Sequence, residues 1–250
     1  MDMSMTWLKD YVDVDTDIKD FVEDITLSGS KVEGYTIIGG DIKNVVVGKV
    51  LSIEKHPDAD KLVITKIDIG NGEPLQIVTG ATNLYVGAVV PVALSGSTLA
   101  NGVKIKKGKL RGVESNGMLC SVEELGCDRH DFPEAPENGI YIFPEPVELG
   151  TNVVDAMDLK DEAVEFEITS NRPDCFSMIG LARETAATYN KQLRYPEITV
   201  REEAEGNIND MVSVEIKNSA LCPRYVARVV KNVKIGPSPR WMRKRLRSVG

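Results

Sequence analysis

The chain has 250 residues, 42% of them hydrophobic, and a formal net charge of −8. This composition excludes a mostly disordered chain, and no apolar run approaches the roughly 20 residues of a membrane-spanning helix, so no membrane partner is expected. The acidic first residues lack the apolar core of a signal peptide, which predicts a cytoplasmic protein.

Residues 1–40 predict a small α/β piece. Asp15 or Thr16 is a candidate helix N-cap, and Gly29 stands where a left-handed C-cap would fall. Between them, four apolar side chains recur at i, i+3, i+4 and i+7: Ile18, Phe21, Val22 and Ile25. A strand is predicted at Val32–Ile38. This piece is too short to bury a core by itself.

Residues 41–150 lose the helical periodicity and predict a barrel. Five segments rich in branched residues read as strands: residues 45–53, 62–69, 75–79, 88–94 and 103–113. Asn71 and Gly72 are a hairpin signal between two of them. Five short strands in about a hundred residues fit an OB-type Greek-key barrel, and an SH3-like barrel fits the periodicity nearly as well.

The last of these predicted strands carries a cluster of cations. No acidic residue interrupts the run from Lys104 to Val113, and after Glu114 residues 115–118 form a turn signal that begins with Ser115 and Asn116. The cations are Lys104, Lys106, Lys107, Lys109 and Arg111. Such a strand suits contacts with phosphate groups, because Lys and Arg supply charge and turn amides supply short hydrogen bonds. A solvated, lysine-rich edge strand is the alternative.

Residues 151–196 return to α/β character. Residues 164–168 alternate as a half-buried strand does, and Ser177 is a candidate cap for a helix over residues 178–189. Residues 1–40 and 151–196 each lack a core. We therefore expect them to complete one discontinuous α/β domain with residues 41–150 inserted between them.

Residues 201–250 predict the truncated start of a further α+β domain. An acidic linker (residues 202–210) precedes predicted strands at residues 212–216 and 226–233, and Ser238 is a candidate cap for a basic helix. Residues 1–215 carry 20 basic and 38 acidic groups, whereas ten Lys or Arg and no acid follow Glu215. A basic end on an acidic body predicts an RNA-facing surface or an acidic protein neighbour.

Four widely spaced cysteines without a CxxC pair predict reduced, metal-free thiols. Cys127, Asp128 and His130 are three ligand-type residues in one loop, a grouping that is more often coincidence than a metal site.

Three strings together resemble the tRNA-binding OB module of bacterial phenylalanyl-tRNA synthetase beta subunits, of some methionyl-tRNA synthetase tails and of free-standing tRNA-binding proteins. They are residues 104–126, residues 56–62 (HPDADKL) and residues 77–83 (IVTGATN). Two further strings, WLKDYVD near the start and EITSNRPDCFSMIGLARE in residues 151–196, resemble the bacterial beta subunit alone. The resemblance selects the OB barrel and spans essentially the whole chain.

The resemblance implies part of an α2β2 phenylalanine–tRNA ligase, which uses ATP and magnesium to attach phenylalanine to its tRNA. In that family the aminoacylation site is on the alpha subunit, and the beta subunit supplies tRNA contacts, assembly surfaces and hydrolytic editing. The resemblance makes residues 201–250 the truncated start of the family's editing domain (B3/B4-type). The family's editing pocket and beta-subunit magnesium site fall beyond Gly250. No catalytic residue, cofactor or metal site is therefore expected here, and the expected partners are tRNA and the alpha subunit, not DNA.

The candidate RNA-binding residues are those of the matching strings: Lys104, Lys106, Lys107, Lys109, Arg111, Ser115, Asn116, His56, Lys61 and Asn83. Two alternatives remain at this point, a stand-alone tRNA-binding module and a protein-interaction scaffold that uses an OB fold. The scaffold gains weight from composition, because residues 41–150 contain 11 basic and 15 acidic residues. Tyr85 is the main candidate there for stacking on a base.

Overall fold

The computed structural model describes residues 1–200 and 205–250. Its strands, in chain order, are β1 (Asp2–Ser4), β2 (Val32–Ile38), β3 (Lys43–Lys55), β4 (Val63–Asp68), β5 (Leu75–Thr79), β6 (Val89–Thr98), β7 (Gly108–Leu110), β8 (Val113–Ser115), β9 (Gly117–Leu119) and β10 (Asp161–Phe166). Its α-helices are α1 (Met5–Leu8), α2 (Ile18–Leu27), α3 (Val153–Ala156), α4 (Met178–Thr188) and α5 (Arg240–Arg247). Among these described helices, none has the length and apolarity needed to cross a membrane.

The described residues form two compact units, one of Met1–Tyr195 with Pro239–Gly250 and the other of Pro196–Ser238. The first unit therefore takes in the basic helix α5, which differs from the predicted grouping of residues 201–250. The predicted domain boundaries stay predictions.

In the second unit, the described residues contain a short 3-10 helix, Ile208–Asp210, and no strand. The strands predicted at residues 212–216 and 226–233 are therefore wrong. Their valines and isoleucines are largely exposed, and an alternating segment without a partner strand or a buried face does not form a stable ladder. Most of the predicted linker at residues 202–210 precedes the 3-10 helix, and its first residues lie outside the described ones.

Three strands from the two ends of the first unit form one antiparallel sheet. Its order is β1–β10–β2, so the last of the described strands lies in the middle. Met3 faces Val164 across one ladder, and Val164 faces Tyr35 across the other. The predicted alternation is present in β10, where Val164 and Phe166 are buried, although the strand ends at Phe166 and not at residue 168.

Helices α1, α2 and α4 contribute to one core with this sheet. Helix α2 buries Phe21 and Ile25, as its periodicity predicts, and each such side chain contributes about 1.5–3 kcal/mol. The predicted N-caps of α2 are wrong by one or two residues, because the carboxylate of Asp17 accepts a hydrogen bond from the Lys19 N–H at 2.9 Å. Ser177 caps α4 as predicted.

The other strands build a five-stranded antiparallel sheet with the order β5–β4–β3–β6–β9. Strand β3 has 13 residues and pairs with both β4 and β6, and a register shift between Val50 and Ser52 interrupts its ladder with β4. Strands β5 and β9 come together, so the sheet is nearly closed. Strand order and closure are those of an OB-type barrel, which confirms the predicted fold class of an α+β chain with an OB-type barrel.

The predicted fifth barrel strand at residues 103–113 is wrong. Residues 104–107 are irregular apart from one bridge at Lys104, and β7 and β8 form a separate two-stranded hairpin. Strand β9 is the fifth barrel strand, and it takes up the second half of the segment predicted to be a turn, residues 115–118. A Cβ on Gly117 would lie 2.4 Å from the Ala93 carbonyl oxygen, so this glycine permits close strand pairing instead of making a turn.

The barrel is lined by two hydrophobic clusters. One fills its interior, with Val50, Ile67 and Ile77 among its fully buried residues. The other lies at one end of the barrel and includes residues beyond the predicted boundary at 150/151: Val153, Val154, Met157 and Leu159. The packing therefore changes after Leu159, immediately before β10, from the barrel to the β1–β10–β2 sheet, here called the flanking sheet.

Within the first unit, the basic helix α5 contacts acidic groups of other segments. Arg245 pairs with Asp10, and Lys244 pairs with Asp158 at 2.5 Å. The helix begins at Arg240 after Pro239, and the predicted cap Ser238 makes no capping bond. The cations of the helix make these contacts, whereas its apolar side chains Met242 and Leu246 are exposed.

A buried carboxylate joins the two ends of the flanking sheet. Asp161 is 4% exposed and accepts hydrogen bonds from the Ser4 hydroxyl at 2.6 Å and the Thr6 N–H at 3.1 Å. Burial alone would raise its pKa, but hydrogen bonds from Ser4, Ser248 and Thr6 stabilise the charged form and hold the pKa below its ordinary value.

Replacement Asp161→Asn should reduce the free energy of unfolding by about 1.5–3 kcal/mol at pH 7, because the amide cannot accept at both positions. A depressed pKa stabilises the fold above the unfolded-state value of about 3.9 and loses this effect as pH falls through the folded-state value. The difference between wild type and variant should therefore shrink below about pH 4. Urea unfolding at pH 7 and pH 3 measures both effects.

Glu165→Gln is the matched control, since Glu165 is exposed on the same strand. Equal stability of the Asp161 variant and this control at pH 7 would show that the buried carboxylate does not hold the sheet together.

Candidate nucleic-acid interface

Strands β7 and β8 form a short hairpin, here called the cationic hairpin (residues 108–115). Its turn residues Arg111 and Gly112 have φ values of +49° and +85°. Positive φ at both positions is the signature of a type I′ turn, which matches the twist of the paired strands. Lys109 and Arg111 are exposed, and Lys109 lies 3.9 Å from Glu114 across the hairpin, a weak surface pair.

The other three cations of the cluster lie on the segment before the hairpin. This segment runs beside the end of β6: the Ile105 N–H donates to the Ser97 carbonyl at 3.0 Å, and the Lys107 N–H donates to the Ser95 hydroxyl at 3.3 Å. Lys104, Lys106 and Lys107 are all exposed, and none of them forms an ion pair with any described residue. Their charge is therefore available to a polyanion.

His56, also a candidate RNA contact, is buried at 6% exposure. Its Nε2 lies 3.0 Å from the Leu110 carbonyl oxygen, and its Nδ1 accepts a hydrogen bond from the Asp58 N–H at 3.1 Å. A carbonyl can only accept, so Nε2 carries the proton and the ring is the neutral Nε2–H tautomer. His56 connects the loop between β3 and β4 to the cationic hairpin.

Two further candidates have structural contacts. Ser115 is 5% exposed; its hydroxyl accepts from the Val78 N–H at 3.0 Å and donates to the Gly117 carbonyl at 3.0 Å. The Asn83 amide forms two hydrogen bonds with the backbone of Ile140, at 2.8 and 3.1 Å. These side chains hold loops and have little capacity left for a ligand.

Asn116 and Lys61 complete the predicted set. Asn116 is half-buried, and its N–H donates to the Gln76 carbonyl at 2.8 Å. Lys61 is exposed in the loop that His56 attaches to the hairpin. The exposed candidates are thus six cations: Lys61, Lys104, Lys106, Lys107, Lys109 and Arg111.

The three sequence strings meet in the structure. His56 joins the string at residues 56–62 to the hairpin, and the backbone of Val78 joins the string at residues 77–83 to Ser115. Gln76, which the sequence reasoning missed, adds a link, because its side chain donates to the Glu114 carbonyl at 2.9 Å and accepts from Lys66 at 3.0 Å. Alternation in β5 was the one available signal for it, since it predicts which residues face outward.

One group of potential metal ligands occurs among the described residues, formed by Asp174, Cys175 and Glu184. The Arg172 guanidinium already occupies it, at 2.9 Å from Asp174, 2.7 Å from Glu184 and 3.1 Å from the Cys175 sulfur. Hydrogen bonds from Arg172 lower the pKa of Asp174 to about 2. The cation of this cluster is an arginine, so the group does not fit magnesium.

Comparison with known proteins finds the family that the sequence strings resemble. Residues 45–152 match a family profile described as "Putative tRNA binding domain". Over 250 residues the chain is 52% identical to the phenylalanine–tRNA ligase beta subunit of Clostridium acetobutylicum and 49% identical to that of Clostridium tetani. The chain is homologous to phenylalanine–tRNA ligase beta subunits. The resemblance predicted from the sequence is confirmed.

Both alignments cover 100% of the chain and 31% of the relative, so the chain spans about a third of the length of these curated beta subunits. A beta subunit of Bacillus cereus is 45% identical with the same coverage. Because the match runs through the flanking sheet and residues 196–250 as well as the barrel, a stand-alone barrel module or scaffold is not favoured.

Two solved structures align with part of the chain. The C-terminal domain of Plasmodium vivax p43 is 26% identical, covering 44% of this chain and 58% of that one, with a TM-score of 0.31. A MetRS related protein from Pyrococcus horikoshii is 24% identical, covering 56% of this chain and 97% of that one, with a TM-score of 0.29. With TM-scores this low, the fold assignment rests on the strand pairing described above.

All four cysteines are free. Burial raises the pKa of Cys120 to about 12 and that of Cys127 to about 11, and Cys175 is also buried. Cys222 is half-buried. We expect a thiol reagent at pH 8 to modify Cys222 rapidly in the folded protein and to modify all four after denaturation, because the thiolate is the reactive form.

Mass spectrometry of the labelled peptides measures this directly, without added reductant. Fewer than four thiols after denaturation would indicate a disulfide, and rapid labelling of Cys120 in the folded protein would contradict the barrel packing around it.

Proposed function

We propose that this chain is part of the beta subunit of a phenylalanine–tRNA ligase, in which it contributes tRNA binding and subunit assembly. The identity of 52% over all 250 residues carries the proposal, since it extends through every element of both units. The working enzyme would act in the cytoplasm, where tRNA is charged, with an alpha subunit in an α2β2 assembly.

Within this enzyme, the barrel would bind the tRNA backbone through the six exposed candidate cations named above. Lys and Arg contacts with phosphates position a protein on a nucleic acid without reading its bases. Aromatic stacking platforms are scarce: Tyr85, at 57% exposure, is the large exposed aromatic residue of the described barrel. A surface with charge and few rings favours recognition of the shape and phosphates of a folded tRNA over capture of single-stranded bases.

ATP and magnesium would be used elsewhere in the enzyme. Among the described residues, the metal-ligand group is occupied by Arg172, and the exposed cations lie on loops and a hairpin instead of at a glycine-rich phosphate loop. In the family that the sequence strings resemble, aminoacylation takes place on the alpha subunit, and this chain would influence it through tRNA affinity.

The double replacement Lys106→Ala, Lys107→Ala tests the RNA surface. Each lost phosphate contact should flatten the slope of log K against log salt concentration by about 0.7–0.9, because fewer counterions are released on binding. We expect weaker binding of tRNA at low salt and a slope smaller by up to about 1.8, measured by fluorescence anisotropy. Lys19→Ala, Lys191→Ala is the control, since both lysines are exposed and lie outside the barrel.

Unchanged affinity and slope in the Lys106/Lys107 variant would show that this segment is a solvated surface without a role in tRNA binding.

The full-length subunit, paired with its alpha subunit, gives a second test. The Lys106/Lys107 variant should raise the KM for tRNA in aminoacylation and leave phenylalanine-dependent ATP–pyrophosphate exchange unchanged, because exchange requires no tRNA. Loss of exchange in the variant would instead indicate failed assembly. Absence of exchange in the wild-type pair would refute the proposed enzyme.

A further inference from the structure

We infer that His56 is a positioning residue, which fixes the tip of the cationic hairpin against the barrel so that Lys109 and Arg111 are presented to a phosphate backbone in one arrangement. This inference rests on the proposed function for its ligand, folded tRNA. It assigns His56 a role different from the direct contact that the sequence suggests.

The base and the tip of the hairpin are held by different groups. At the base, Ser115 and Gln76 bond β8 to strand β5. At the tip, the side-chain bond from His56 to the Leu110 carbonyl is the contact that connects the described hairpin to the loop between β3 and β4. Removal of this one hydrogen bond, here called the tie, would free the tip and leave the base attached.

The tip has a conformation that benefits from such support. Arg111 has a φ of +49°, a left-handed value that is uncommon for residues other than glycine. A non-glycine residue in this region is strained, and it persists when its surroundings determine the conformation. Leu110 directly precedes Arg111, so a fixed Leu110 carbonyl restrains the first peptide of the turn.

The ring of His56 is itself held in place. The Asp58 N–H donates to Nδ1, which orients Nε2 toward Leu110, and the His56 N–H donates to the Leu62 carbonyl at 3.2 Å. At 6% exposure, the ring has almost no surface for an RNA contact of its own. One ring nitrogen of His56 is held by Asp58, and the other donates to the hairpin. This arrangement is typical of a residue that positions a neighbouring segment and does not contact the ligand itself.

Fixing the hairpin before binding should increase affinity, because a mobile segment loses conformational freedom when tRNA binds. The number of phosphate contacts does not change. Loss of the tie should therefore weaken binding without altering the salt slope, whereas loss of a cation alters both. This difference separates positioning from direct contact.

Two replacements at position 56 test the two hydrogen bonds of the ring separately, the one at Nδ1 and the one at Nε2. In His56→Asn, the amide oxygen can still accept from the Asp58 N–H, but the side chain is too short to reach Leu110. In His56→Gln, the amide nitrogen can take the place of Nε2 and donate to Leu110. His130→Asn is the control, since His130 is the other histidine and is exposed in a loop.

We expect H56N to bind tRNA about 2- to 12-fold more weakly than wild type with the wild-type salt slope, as loss of one hydrogen bond implies. H56Q and H130N should bind within about twofold of wild type. Wild-type affinity in H56N would overturn the inference. So would equal losses in H56N and H56Q, since they would implicate the buried site as a whole and not the tie.

Amide hydrogen exchange of the free chain tests the tie without tRNA. Exchange at residues 109–114 should accelerate in H56N and remain as in wild type in H56Q. If wild type binds no tRNA, the proposed function fails, while the exchange measurement still decides whether His56 holds the hairpin. Unchanged exchange in H56N would refute the tie.

If H56N does not fold, Gly112→Ala gives the same test from the other side. A Cβ at Gly112 would meet no atom within 4 Å, so the barrel is undisturbed, but the φ of +85° strains the turn. The variant should bind tRNA more weakly at the wild-type slope. Wild-type affinity would show that the shape of the tip is irrelevant and would overturn the inference.

Discussion

The central position of strand β10 is the constraint on which the first unit depends. Strands β1 and β2 pair with β10 and not with each other, so the sheet exists only when the two ends of the unit meet. The barrel must then return its chain to the place where it left. It does so: Ile38 faces Asp161 in the sheet, and Val47 exchanges backbone hydrogen bonds with Gly150 and Thr151 at 2.8 and 2.9 Å. An insertion with adjacent ends adds little closure entropy.

Local patterns predicted the elements that bury a regular face. The apolar repeat of α2, the alternation of β10 and the serine before α4 each specify structure within one turn or one strand. The barrel was predicted for the same reason, since its longer strands carry runs of branched residues. Predictions failed at residues 212–233, where alternation occurs without anything to pack against.

The cationic hairpin and β9 could not be read from the sequence in the same way. Arg111 and Gly112 are not a strong hairpin signal, and strands of three residues carry too little pattern to identify. The sequence around Gly117 predicted a turn. A glycine is needed there because the Ala93 carbonyl of another strand lies close by, and the local sequence does not show that contact. The clustering of the cations could be read from the sequence, and the structure shows that these cations are exposed. The hydrogen bonds of the His56, Ser115 and Asn83 side chains depend on partners 37 to 57 residues away.

The split sheet also has a consequence for synthesis on the ribosome. More than a hundred residues separate the end of β2 from the start of β10, and at about 5–20 residues per second their translation takes roughly 6–25 s. During that interval β2 has no central partner, and its edge, with Tyr35 and Ile37, is open to other chains. All strands of the barrel are synthesised within this interval, so the barrel can fold first. It then lies between β1 and β2 and the part of the chain that is synthesised later.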